Sequence, residues 1–145
     1  MKFYEDKNYI EMCEKAEEMQ EKWKPERGDY YRKYHFSKNK VKIYSKIAVY
    51  PPLSNHKRFL LKNIGKKNSP FVWLPRQDQL QEMLFDEFYD NPFDIEIIFN
   101  EWMVLDKYIL MKYNFLEEAW LEFVMKEKYN KVWNNSGRVN EWVEI

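Results

Sequence analysis

Between Asp6 and Trp23 the apolar positions recur at helical spacing. Tyr9, Cys13, Ala16, Gln20 and Trp23 form one stripe, with Met12 and Met19 beside it. Glu11–Lys15 and Glu18–Lys22 stand four residues apart on the wet side, in the favourable order. Pro25 and Gly28 end the helix. The period then shortens. Asp29 to Phe36 is rich in Tyr and reads as a strand, and Lys40 to Tyr50 alternates. Val41, Ile43, Ile47 and Val49 share one parity, and Lys40, Lys42, Tyr44, Lys46 and Tyr50 the other, which predicts opposite faces of a sheet. Ser37 to Asn39 suits a hairpin turn, and Pro51-Pro52 stops the run. His56 to Ile64 is expected as a third strand and Phe71-Val72-Trp73-Leu74 as a fourth.

Helical spacing returns after Pro75, a residue suited to a first helical turn. Leu80, Met83, Leu84 and Phe88 mark one buried face. Asn91, Pro92 and Asp94 read as N-cap, N1 and N3 of a second helix, with Ile95, Ile98, Phe99, Trp102, Leu105 and Ile109 behind them. Asn114 with Glu117 predicts a third start, followed by Leu116, Ala119, Trp120, Phe123 and Val124. Asn135-Ser136-Gly137 is expected to close this helix, leaving a tail. The fold expected is α+β in a single domain, residues 1–145. A small, mainly antiparallel sheet of three to four strands over 29–74 packs with an N-terminal helix and two to three C-terminal helices.

Composition changes this picture in two ways. Six Trp, eleven Tyr and ten Phe make 19% of the chain aromatic, enough for a ring-built core with rings left over for a wet surface. The formal charge of zero conceals a polarity. Tyr30 to Pro70 holds eleven Lys and Arg and no Asp or Glu, whereas Phe71 to Ile145 holds fifteen acids against seven bases. The one cysteine, Cys13, allows no internal disulfide, and no apolar run approaches the ~20 residues of a membrane helix. A soluble protein of the cytosol is expected, with no membrane partner.

The motifs of common catalysis are missing. Cys13, His35 and His56 stand at no metal-ligand spacing, and Cys13 lies on an apolar stripe, where an inert core thiol is the reading. The serines form no nucleophile elbow, and the three glycines are too scattered to cradle a phosphate. Neither cofactor nor metal is expected, nor is enzymatic activity. Two surfaces remain. Asp86, Glu87, Asp90, Asp94, Glu96 and Glu101, on the helical half, are candidates to meet a basic partner and gain on-rate by steering. Arg32, Lys33, Lys40, Lys42, Tyr44, Lys46 and Tyr50, with Arg76 at a helix start, are candidates for binding an anion, nucleotide or nucleic acid. The same lysines also read as a solvated face that resists edge-to-edge aggregation, or as charge neutralised inside the molecule.

Two stretches carry a resemblance. One runs from Tyr9-Ile10-Glu11-Met12-Cys13-Glu14-Lys15-Ala16 to Trp23-Lys24-Pro25 and Gly28-Asp29. The other is Phe71-Val72-Trp73-Leu74-Pro75-Arg76-Gln77-Asp78-Gln79-Leu80-Gln81-Glu82-Met83. With the helix around Ala119-Trp120-Leu121 and Phe123-Val124, they resemble small accessory proteins encoded by phages and prophages of low-GC bacteria, over less than half of the chain. The resemblance implies a viral accessory gene and assigns no ligand or catalytic residue. Proteins of that kind often bind a host protein, inhibitors of bacterial defence such as anti-CRISPRs among them. The expected function is therefore a non-enzymatic phage protein binding a host macromolecule through a charge-polarised surface. The alternative is a nucleic-acid or nucleotide-binding protein that uses the Lys/Tyr strand face.

Overall fold

The first helix forms where its apolar stripe places it, but in two pieces. In the computed structural model, which describes residues 1–52, 56–66, 68–88 and 91–145, α1 spans Lys7–Lys15 and α2 spans Glu17–Glu21. Asp6 caps α1 by accepting the Tyr9 N–H at 3.0 Å. Ala16, with ψ at 67°, breaks the helix between the two. Tyr9, Met12, Cys13, Ala16, Met19 and Trp23 are all buried. The chain divides into two compact units, Met1–Pro75 and Arg76–Ile145.

The first unit is built on an antiparallel sheet. Its central strand β1 (Tyr30–Phe36) pairs with β2 (Lys42–Tyr44) and β3 (Ala48–Val49) along one edge and with β4 (Phe71–Leu74) along the other. Tyr34 faces Tyr44, yet Tyr31 faces Ala48, one residue further than continued pairing allows. Ser45 to Ile47 therefore carries a β-bulge. The outer edge of β4 is met by a side chain. Gln20 accepts the Trp73 N–H at 2.8 Å and donates to the Trp73 carbonyl at 2.9 Å, as a neighbouring strand would. Its Nε2 also donates to the Cys13 carbonyl at 3.0 Å. The Asp29 carboxylate, itself buried, accepts from Trp23 Nε1 and the Glu26 N–H, both at 2.9 Å.

The second unit contains α4 (Gln77–Phe88), α5 (Pro92–Leu105), α6 (Lys107–Lys112) and α7 (Leu116–Tyr129), then a hairpin of β5 (Lys131–Asn134) and β6 (Glu141–Glu144). Asn91 caps α5 by accepting the Phe93 N–H at 3.0 Å, with Pro92 at N1. The core gathers on α7, where Trp120 lies flat against Phe99 of α5 at 3.7 Å between centroids and Phe123 meets both rings edge-on. Leu80, Leu84, Ile95 and Val124 are buried with them.

Several expected elements differ. His56–Asn63 is a helix, α3, rather than a strand. Phe59-Leu60-Leu61 is too short an apolar run to set a period, while the flanking Lys57, Arg58 and Lys62 are good helix formers with no β-branched neighbour. The alternation of Lys40 to Tyr50 does not persist, because the bulge exchanges faces midway. Val41 and Ile43 are exposed, and Lys42 and Tyr44 turn toward α1. The last long helix starts one residue late, at Phe115 with Glu118, and ends at Asn130 in the left-handed conformation, φ 56°. The segment expected as a tail supplies β6. Trp133, buried, meets Trp142 across the hairpin at 5.0 Å.

Candidate functional site

α5 carries apolar residues on its outward side as well as its inner one, and among the described residues only the inner side is covered. Ile95 and Phe99 are buried against the core. Phe93 is 71% exposed, Ile97 54% and Val104 72%. At about 100° per residue these three fall within an arc of roughly 40°, a single outward line. Leu105, expected inside, is 85% exposed because α5 stops there and Asp106 turns the chain. Asp94, Glu96 and Glu101 are exposed on the same helix and border the line. A groove of about 580 Å³, lined by Ile98, Glu101, Trp102, Leu105 and Phe123 among others, adjoins it. Asp86 and Glu87 lie on α4 with side chains outside those described, and Asp90 lies outside the described residues.

The Lys/Tyr strand is arranged differently. Lys42 Nζ forms an ion pair with Glu14 of α1, and the Tyr44 hydroxyl donates to the same carboxylate. Lys42 Nζ also sits 4.2 Å from the centroid of Tyr34. Burial, and then the Glu14 hydrogen bond and charge, hold the Tyr44 phenol well above its ordinary value. Arg32 donates Nε and Nη2 to the Tyr4 carbonyl, both at 3.2 Å, and Nη1 to the Ser45 carbonyl at 3.0 Å. Lys33 turns to the opposite face, 4.9 Å from the Phe59 centroid. Lys40, at φ 59° in the turn, and Lys46 are exposed, and Tyr50 is half-buried before a cis peptide bond to Pro51. In the second unit, Arg76 Nε donates to Asp78 at 3.1 Å. The expected single platform is thus not assembled: Lys42 and Tyr44 face Glu14, while Lys33 lies on the other side of the sheet.

A second polar group lies inside the helical unit. Glu122 is buried and accepts from the Tyr113 hydroxyl and from Lys112, at 3.2 Å on each oxygen. Lys112 donates as well to the Trp133 carbonyl, tying β5 to the helices. Burial first, and the Glu122 charge next, push the Tyr113 phenol far up. Each of these groups has a partner within the cluster, which acts as an internal clamp. Among the described residues no three His, Cys, Asp or Glu could hold a metal ion, and Cys13 is fully buried. No helix of the described residues is long and apolar enough to cross a membrane.

Sequence reasoning missed Phe93, Ile97 and Val104. They stand out only once Ile95 and Phe99 are assigned to the inner side, which leaves a second apolar line with nothing to do. It also missed Glu14, whose role depends on strand residues 28 and 30 positions away. Comparison with family models, with curated proteins and with solved structures gives no match.

Proposed function

We propose that this chain is a non-enzymatic binding protein, of the phage accessory kind its sequence resembles, that docks on a host protein through the outer side of α5. The observation that carries the reading is the line Phe93, Ile97 and Val104, exposed on a helix whose other side is already in the core. Large apolar side chains grouped on a surface and rimmed by polar residues ordinarily mark an interaction site. Fully covering side chains of this size contributes about 1.5–3 kcal/mol each, so three supply an anchor for a partner. Asp94, Glu96 and Glu101 at the border select a partner with a basic rim and disfavour a second copy of the same acidic face. A host defence protein with a basic groove has that chemistry. The alternative, a nucleic-acid platform on β2, has less support, since Lys42 and Tyr44 are committed to Glu14.

The test is capture of a partner from host lysate by the full chain and by two variants. Ile97→Asp is expected to abolish capture, and Glu96→Lys/Glu101→Lys to weaken it in step with added salt. Capture unchanged in both variants, or no partner at low salt, refutes the reading.

A further inference from the structure

The odd face of the sheet carries a pocket that the docking reading does not use. It encloses about 360 Å³ and is lined by Tyr31, Phe71, Val49 and Pro51, with Lys33 and Lys46 also on its wall. Tyr31 and Phe71 form its floor, at 5% and 7% exposure, with ring centroids 6.1 Å apart and edge to face. Phe59 of α3 packs on Phe71 at 5.6 Å and extends the apolar rim, and it is partly exposed. The Lys33 ammonium stands 4.9 Å from the Phe59 centroid and 6.0 Å from that of Phe71. Lys46 sits exposed within the bulge. Among the described lining residues there is no carboxylate, and among the described residues neither lysine makes an ion pair. By contrast, Lys42 on the other face has Glu14.

The geometry points to a binding site for a small aromatic phosphate of the nucleoside monophosphate class. The volume falls in the ~300–1,000 Å³ range of small-molecule pockets, and the lining has their usual make-up, a mostly apolar wall with a few placed polar groups. Two ammonium groups with no carboxylate partner among the described residues suit a dianion, and lysine serves phosphate as a point charge. The rings, Val49 and Pro51 offer a flat apolar wall to a planar body. The same chemistry is presented by a free nucleotide and by the 5′-phosphorylated end of a single strand.

The test titrates the full chain with AMP, with inorganic phosphate, and with a short oligothymidylate with and without a 5′-phosphate, followed calorimetrically at low and high salt. Saturable AMP binding that weakens with salt is expected, with inorganic phosphate weaker by about tenfold or more. Preference for the phosphorylated oligonucleotide over both AMP and its unphosphorylated twin assigns the site to strand ends; preference for AMP assigns it to free nucleotides. Lys33→Ala/Lys46→Ala is expected to lose at least about tenfold in affinity. Lys46→Glu, at an exposed position that leaves the core intact, is expected to do the same, while Lys24→Ala/Lys38→Ala outside the pocket keeps wild-type affinity. The proposal fails if neither AMP nor the phosphorylated strand saturates, if inorganic phosphate binds as well as AMP, or if Lys46→Glu binds normally.

Discussion

Gln20 offers the most direct test of how the first unit holds together. Its amide makes three hydrogen bonds, to the N–H and the carbonyl of Trp73 and to the carbonyl of Cys13. Gln20→Leu keeps the volume and removes all three. The Cys13 carbonyl retains the Ala16 N–H at 3.2 Å, so the loss falls on Trp73. Two backbone groups on the outer edge of β4 then lack their partner, at about 1–3 kcal/mol each, for a total of roughly 2–6 kcal/mol. Against a typical domain stability of about 5–15 kcal/mol, that is a large share. Trp23 lies nearly parallel to Trp73, 4° between planes and 6.0 Å between centroids, which makes near-ultraviolet circular dichroism a local reporter. Urea unfolding followed by that signal is expected to shift its midpoint down with an unchanged slope. Glu11→Ala, which breaks the surface ion pair with Lys15, is the control and is expected to cost under about 0.5 kcal/mol. If Gln20→Leu costs no more than the control, the strand-mimic argument is wrong.

Gly65 has φ 72°, and a Cβ there would meet the Glu21 carbonyl oxygen at 3.1 Å, so Gly65→Ala is expected to destabilise the first unit by about 1–2 kcal/mol in the same assay. Tyr113 is neutral in the fold with its phenol pushed above the ordinary value near 10. The folded state therefore keeps a proton that the unfolded chain releases. Stability is whole below about pH 10 and falls above it, by up to about 1.4 kcal/mol per pH unit for this group. Tyr113→Phe is expected to flatten that alkaline slope, and an unchanged slope would contradict the assignment. Asn130 holds φ 56° at the end of α7, and its Nδ2 donates to the Ile145 carbonyl at 3.1 Å. Asn130→Val is expected to cost more than Asn130→Gly, because a β-branched residue resists the left-handed region.

Much of this architecture was legible where the signal is local. The stripe from Tyr9 to Trp23 and the Asn91-Pro92 cap each depend on residues a few positions apart, and both are found. The errors fall where distant residues decide. Nothing near Lys42 and Tyr44 announces that Glu14 will receive them, and nothing in the alternation of Lys40 to Tyr50 announces an extra residue. α3 shows the limit of a three-residue apolar run as a period signal. Trp142 and Val143 looked like a tail because a two-stranded ribbon needs its partner, Val132 and Trp133, to be seen. The α5 surface was half legible. Its acids could be read directly, whereas its apolar line emerges only after the inner side is known.

The extra residue between Tyr44 and Ala48 makes the length of that segment a quantity in its own right. Deleting one residue there would let the ladder run on without interruption, leaving Ala48 opposite Tyr31 and Val49 opposite Tyr30 and removing the bulge on which Lys46 sits. So far as the backbone is concerned the letters at Ser45, Lys46 and Ile47 are open to drift, whereas their number decides whether the bulge is there at all. Relatives that diverge here are expected to align through this stretch by its length rather than by its side chains.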